Sequence, residues 1–214
     1  MTIVITGASR GIGATLAAQY KDAGEEVIGT ARGAGAEAVL DVTDPASHAA
    51  FAANLQGRPL DLLICNAGVY LDKGDDLDTG FGPDLWAQSF ATNVTGVFLT
   101  VQSLMPNLRA AKGAKIAIIA SQMGSQTRAP GGSYIYRASK AAAINLGRNL
   151  AVDLKPEGIA VGIYHPGWVR TDMGGDQGEI SVAESAQGLA QRIAALDLAR
   201  TGAFETWDGR AHPF

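Results

Sequence analysis

The sequence predicts an α/β fold built on a doubly wound, mostly parallel sheet, and three observations lead there. Short runs of β-branched and aliphatic residues alternate with segments whose apolar residues recur every three or four positions. The strand-like runs are apolar almost without interruption, which is the pattern of strands buried on both faces. The first run passes directly into the turn Thr6-Gly7-Ala8-Ser9-Arg10-Gly11-Ile12-Gly13, in a chain where 27 of 214 residues are glycine. The usual share of glycine is about 7%, so much of the excess should lie where the backbone turns sharply or must approach something closely.

Ile3-Val4-Ile5 reads as the first strand, and Ile12, Leu16 and Tyr20 as one face of the first helix, closed by Gly24. Val27 to Thr30 and Ala38 to Leu40 read as the second and third strands. With the second strand ending near Ala31 and the third starting near Glu37, only Arg32-Gly33-Ala34-Gly35-Ala36 remain between them, where a helical crossover needs about ten to twelve residues, so this connection is expected to be an extended loop. Asp44-Pro45 opens a helix with a capping side chain followed by proline, and Leu60 to Cys65 is the fourth strand. A long helix from near Pro83 to about Arg109 leads to the fifth strand, Lys115 to Ala120. A helix over Tyr134 to Lys155 precedes the sixth strand, Ile159 to Tyr164. Ser181-x-x-Glu184 is a capping box for a helix whose apolar face is Val182, Ala186, Leu189, Ile193 and Leu196, and Phe204 to Trp207 is the seventh strand. With right-handed crossovers this is one Rossmann-type domain over residues 1–214 that lacks the crossover helix between its second and third strands.

Composition excludes several classes. Lys and Arg total 17 against 21 Asp and Glu, so no basic field exists for nucleic acid or an acidic membrane surface. No apolar run approaches the roughly 18 residues needed to span a bilayer. The N-terminal MTIVITGASRG lacks the cationic and apolar regions of a signal peptide. The single cysteine, Cys65, and the scattered His48, His165 and His212 provide neither a disulfide framework nor a metal cluster, which fits a cytoplasmic setting.

Two constellations carry chemistry. The glycine turn lies between a strand and a helix, where a pyrophosphate can reach the N–H groups of the helix N-terminus. Its spacing is G-x3-G-x-G, and the lysine of a nucleoside-triphosphate loop is absent, so a dinucleotide is favoured over phosphoryl transfer. In Tyr136-x-x-x-Lys140 the phenol and the ammonium share a helix face, so Lys140 is expected to lower the Tyr136 pKa toward a working range. Ser121, at the end of the fifth strand, should emerge on the carboxyl edge where open α/β sheets bind ligands.

The sequence resembles the short-chain dehydrogenase/reductase family along essentially its whole length. The resemblance rests on Thr6 to Gly13, Asp41-Val42-Thr43-Asp44, Cys65-Asn66-Ala67-Gly68, Asn93, Ser121, Tyr136-x-x-x-Lys140 and Pro166-Gly167 with Val169 and Thr171. Within the family it looks most like the compact C-factor-like carbonyl reductases, from the stretch His165 to Met173 and the ending Thr201 to Gly209. The resemblance implies that Tyr136 is the general acid in carbonyl reduction, Ser121 bonds the substrate oxygen, Lys140 binds the nicotinamide ribose, and Asn93 positions a water from a local distortion of its helix. It further implies a cofactor shell of Gly7, Ser9, Arg10, Gly11, Ile12 and Gly13. To these it adds Asp41 and Val42 at the adenine, Asn66, Ala67 and Gly68 along the adenosine, Pro166 and Gly167, and Val169 and Thr171 at the carboxamide.

Charge argues for NADPH. The position that is acidic in NAD-dependent relatives is Ala31, Arg32 follows it, and Arg10 is near, so no carboxylate is expected to oppose a 2′-phosphate. The substrate is expected to be a ketone or aldehyde in an open pocket bordered by Trp168, Met123, Arg128, Tyr134 and Met173, because the loop from Gly167 to Ile180 is short. Family members pair through the helices that here contain Trp86 to Arg109 and Tyr136 to Lys155, so a homodimer or homotetramer is expected. Cys65 and His165 read as structural, and Asp72 to Asp78 as a solvated acidic loop. The alternative function is a dinucleotide-binding signalling protein acting through a partner; loss of the catalytic residues would favour it, and all four are present.

Overall fold

The computed structural model describes residues 1–33 and 35–214. Ala34, which the sequence assigns to the helix-free crossover, lies outside the described residues. The chain runs β1 (Thr2–Thr6), α1 (Gly11–Asp22), β2 (Glu26–Ala31), β3 (Ala38–Val39), α2 (Pro45–Leu55), β4 (Leu62–Cys65), α3 (Pro83–Phe90), a π-helical turn (Ala91–Thr95) and α4 (Gly96–Ala110). It continues through β5 (Lys115–Ile119), a 3-10 turn (Gln122–Gly124), α5 (Tyr134–Leu154), β6 (Ala160–His165), α6 (Val182–Ala194) and β7 (Phe204–Thr206).

The seven strands form one parallel sheet in the order β3-β2-β1-β4-β5-β6-β7. Chain order reverses between β1 and β4, and at such a switch point the loops leaving the two strands diverge and leave a crevice at the carboxyl edge. Among the described residues no helix joins β2 to β3, which are separated only by residues 32–37, too few for a helical crossover. Glu37, at the end of that connection, is anchored by the Gly29 N–H at 2.9 Å and by Lys21.

Alternation along the strands divides the core into two layers. Val4, Leu63, Ile116 and Val161 face Phe51, Val101, Leu104, Leu108 and Leu154 of α2, α4 and α5. Ile3, Ile5, Leu62, Ile64 and Ala117 face Leu16, Leu189 and Ile193 of α1 and α6. Each of these fully buried aliphatic side chains contributes roughly 1.5–3 kcal/mol of transfer free energy.

Two helix starts follow the sequence closely. Asp44 accepts the Ala46 N–H at 2.9 Å ahead of Pro45, and Ser181 and Glu184 form a reciprocal capping box. The expected long helix from Pro83 to Arg109 is instead interrupted. Its hydrogen-bond ladder widens to a π turn at Ala91–Thr95, and Asn93 in that turn is buried.

Candidate active site

The glycine turn is built by three contacts. Gly7, with φ +67°, carries the chain off β1, and a Cβ there would lie 2.9 Å from the Ala67 Cα, so the β1 and β4 loops touch. Thr6 Oγ1 accepts the N–H groups of Asn66 and Ala67 at 3.0 and 3.1 Å, while Asn66 Nδ2 donates to the carbonyls of Thr6 and Gly7 at 3.1 and 3.0 Å. A Cβ at Gly13 would fall 2.3 Å from the Gly7 carbonyl oxygen, which makes Gly13 the residue that lets α1 pack on its own turn. The first turn of α1 has no acidic residue, and Arg10, its N-cap, makes no side-chain cap, so its N–H groups remain for an anion.

Above this turn a cleft of about 380 Å³ runs along the carboxyl edge. Gly7, Ser9, Arg10, Gly11, Ile12, Arg32, Val42, Asn66, Ala67, Gly68, Tyr136, Lys140, Pro166 and Thr171 line it, together with Ala31, Leu40, Asp172, Met173 and Val182, which the sequence did not assign to the cofactor. Four expected cofactor residues do not line it. Gly13 is used in packing; Asp41 Oδ1 accepts the Thr43 N–H and hydroxyl at 2.9 and 2.7 Å. Gly167 sits against Ile180 and Trp207, and Val169 is buried in a bridge to Ile180. The Asn66 amide is likewise spent on the β1 turn, so what Asn66 offers the cleft is surface and not that amide.

The catalytic side is more enclosed. Tyr136 and Lys140 are both buried on one face of α5, with Lys140 Nζ 5.7 Å from the Tyr136 ring centroid and donating to the Ile119 carbonyl at 3.1 Å. Gly124 makes this possible, since a Cβ there would come within 2.5 Å of the Lys140 backbone and hold α5 off the β5 loop. Ser121 is buried, and its oxygen accepts the Met123 N–H at 3.1 Å. Asn93 uses its whole amide: Oδ1 accepts the Val69 N–H at 2.8 Å, and Nδ2 donates to the Val69 carbonyl at 2.9 Å and to Ser139 Oγ at 3.0 Å. The Asn93 side chain thereby fixes the backbone of Val69 and the Ser139 hydroxyl.

Electrostatics correct one expectation. Burial pushes the Tyr136 phenol up to about 12, with the neighbouring Ser121 hydroxyl pulling the other way, and burial brings the Lys140 ammonium down to about 8. Desolvation thus outweighs the acidifying effect expected of Lys140. The phenol stays protonated at neutral pH, whereas the ammonium loses its charge as pH rises through about 8. Burial also takes His165 down to about 3 and Cys65 up to about 12, in keeping with their structural reading.

Three residues of the site escaped the sequence reading. Asp72, expected in a solvated acidic loop, is buried and accepts the N–H groups of Ile135 and Tyr136 at the start of α5. Tyr70 stacks on Tyr136 with ring centroids 4.2 Å apart. Asp172 lines the cleft and pairs with Arg10, a carboxylate partner for that arginine outside the second-strand position the sequence considered. The first two could have been suspected only from their place after Asn66-Ala67-Gly68. The third is 162 residues from its partner, and no local pattern announces it.

Among known proteins, the family model for short chain dehydrogenases matches residues 1–180. The chain is a short-chain dehydrogenase/reductase. It is 35% identical over 225 residues to a 1-hydroxy-2-glutathionyl-2-methyl-3-butene dehydrogenase of Rhodococcus sp. strain AD45, covering 97% of both chains. It is 36% identical over 169 residues to C-signal of Myxococcus xanthus, covering 77% of this chain and 99% of that one. The NADPH-bound carbonyl reductase from chicken fatty liver superposes with a TM-score of 0.90 at 29% identity, covering 100% of this chain and 98% of that one. This short-chain dehydrogenase/reductase is thus an NAD(P)-dependent oxidoreductase with carbonyl reductases among its structural neighbours. Among the described residues no helix is long and apolar enough to cross a membrane.

Proposed function

We propose that this enzyme uses NADPH to reduce a ketone or aldehyde to an alcohol, with Tyr136 giving the proton to the carbonyl oxygen. The observation that carries the reading is the convergence of Tyr136 and Lys140 on the cleft that begins at the uncapped N-terminus of α1, with the Ser121 hydroxyl beside the Tyr136 phenol. Bound along that cleft, the dinucleotide supplies the hydride. The chain does the rest. The N–H groups of α1 hold the pyrophosphate, Lys140 the nicotinamide ribose, Thr171 and the backbone of Val169 the carboxamide, and Asp41 and Val42 the adenine. Hydrogen bonds from Thr43 keep the Asp41 carboxyl below its ordinary range and so ionised as an acceptor. Because the Ser121 oxygen already accepts the Met123 N–H, the hydroxyl proton is free to donate to the substrate oxygen. The buried, protonated phenol is the complementary donor.

The direction of the phenol shift supports reduction near neutrality. In alcohol oxidation the phenolate must act as base, and its fraction grows as pH rises toward the phenol pKa. Reduction is therefore expected to change little between about pH 6 and pH 8, and oxidation to climb with pH over the same interval and beyond.

The cofactor preference rests on Ala31 and Arg32 at the adenosine end, with Arg10 drawn between Asp172 and a 2′-phosphate. Charge-assisted hydrogen bonds from the arginines, at roughly 1.5–3 kcal/mol each, favour NADPH over NADH by about tenfold or more. Titrating both cofactors, then assaying a panel of aldehydes and ketones with NADPH, tests both parts. Equal or tighter NADH binding removes the preference, and no turnover of any carbonyl removes the activity. The second reading, a signalling protein, has the C-signal relative in its favour and the intact Asn93, Ser121, Tyr136 and Lys140 against it. A homodimer or homotetramer through α4 and α5 and a cytoplasmic setting complete the proposal; light scattering giving a monomer contradicts the former. Partly exposed Trp86 and Phe98 on α3 and α4, with Val152 on α5, are the apolar surface for that contact.

A further inference from the structure

The short segment that follows Asn66-Ala67-Gly68 touches the catalytic helix in more ways than its sequence suggests. At one end Val69 is held on both its N–H and its carbonyl by the Asn93 amide, which the π turn aims inward. At the other end the buried carboxylate of Asp72 accepts the Ile135 N–H at 2.8 Å and the Tyr136 N–H at 3.2 and 3.3 Å. The residue that begins α5, Ser133, makes no side-chain cap of its own, so the first N–H groups of the helix are capped by a residue more than sixty positions away. Between the two ends, Tyr70 lies on the Tyr136 ring at 4.2 Å and 22°, and its hydroxyl is bonded to Ser133 Oγ. Ser133 holds a left-handed backbone at φ +49°, a conformation that serine rarely adopts without such support.

We propose that residues 69–72 form a strap from the π turn to the catalytic helix, in which Tyr70 and Asp72 are positioning residues for Tyr136. The inference rests on the reading of Tyr136 as proton donor. Tyr70 fixes the plane of the phenol, and Asp72 fixes the backbone that carries it. Asp72 does more than cap, because its negative charge is buried beside the residue whose anion must form during oxidation. The groups around the phenol are Tyr70 and Asp72 from the strap, Ser121 from the end of β5 and Lys140 from α5, with Asp172, Arg10 and Arg32 along the same cleft. Burial does most to keep the phenol protonated, Tyr70 adds to it, and Asp72, the carboxylate held against the tyrosine's own backbone, adds a smaller push in the same direction. A side chain that merely terminated a helix would leave the titration of the phenol unchanged.

Three variants test this in the full chain. Asp72→Asn keeps a good capping side chain and removes the charge. The rise of alcohol oxidation with pH is expected to move to lower pH by about half a unit or more, with thermal stability less affected than by Asp72→Ala. Tyr70→Leu is expected to lower kcat about tenfold or more while KM for NADPH holds, and Tyr70→Phe, which keeps the stacked ring, to recover most of the loss. An activity-independent arm uses ¹³C-labelled tyrosine, of which the chain has five. The Tyr136 resonance, assigned by its disappearance in Tyr136→Phe, should shift in Tyr70→Leu as the neighbouring ring current is lost, and should begin to titrate at lower pH in Asp72→Asn. Profiles and resonances that superpose on the parent overturn the strap. Full turnover by Tyr136→Phe would instead overturn the catalytic reading beneath it, and the spectroscopic arm would still report on the strap.

Discussion

The two ends of the cleft are held to very different degrees. At the nicotinamide end, Tyr136 and Lys140 are buried, and Asn93, Asp72, Tyr70 and Gly124 constrain them from three other parts of the chain. At the adenosine end, Arg10 is 71% exposed and its partner Asp172 80% exposed, and Arg32 is exposed on a connection that has no helix behind it. Under the proposed function, the difference teaches that the chemistry is over-determined by packing while cofactor selectivity is left to a few solvated charges. Buried contacts act with little screening, whereas exposed ion pairs contribute about 0–1 kcal/mol.

Substitutions at the two ends should therefore differ in scale. Tyr136→Phe removes only the phenol oxygen and is expected to lower carbonyl reduction by about 10²–10⁴-fold while NADPH affinity changes little; single-turnover kinetics and a binding titration separate the two. Asn93→Ala strands the Val69 N–H and carbonyl in a part-buried site and should destabilise the fold by about 1–3 kcal/mol, read as a lowered denaturation midpoint with unchanged slope. A loss below about 0.5 kcal/mol would show that the strap is not anchored there. Arg32→Ala, at the other end, should weaken NADPH binding by about tenfold and leave NADH unchanged, with no measurable change in stability. Asp172→Asn is expected to have the smallest effect. Freed from its carboxylate, Arg10 should bind NADPH about two- to threefold more tightly, and stability should move by less than about 0.5 kcal/mol. Tighter NADH binding by the same factor would show that Asp172 acts on the dinucleotide as a whole and not on the phosphate.

Legibility in the sequence followed the range of the interactions. Alternating apolar runs, the glycine turn and the capping pairs at Asp44 and Ser181 are local, and they placed every strand and most helix ends within a residue or two. The short gap between β2 and β3 showed a missing helix by length alone. The family resemblance implied a local distortion of the helix at Asn93, and the π turn is there. What the residue pattern could not show was which atoms of Asn93 would be free, because that depends on Val69 and Ser139 meeting it in space. Asp72 misled for the same reason: four acids within Asp72 to Asp78 read as solvated, and only the arrival of α5 makes the first of them a buried cap.

The sequence by itself determined the parallel sheet, the carboxyl edge as the side where ligands bind and the residue types expected there, since each follows from patterning, turn chemistry and spacing within a few positions. The tertiary structure alone decided the protonation of those residues and their partners. Desolvation depends on everything packed around a group, and here it raises the Tyr136 phenol where helix spacing alone argued for a fall. The same packing brought Tyr70, Asp72 and Asp172 to places that no local spacing encodes.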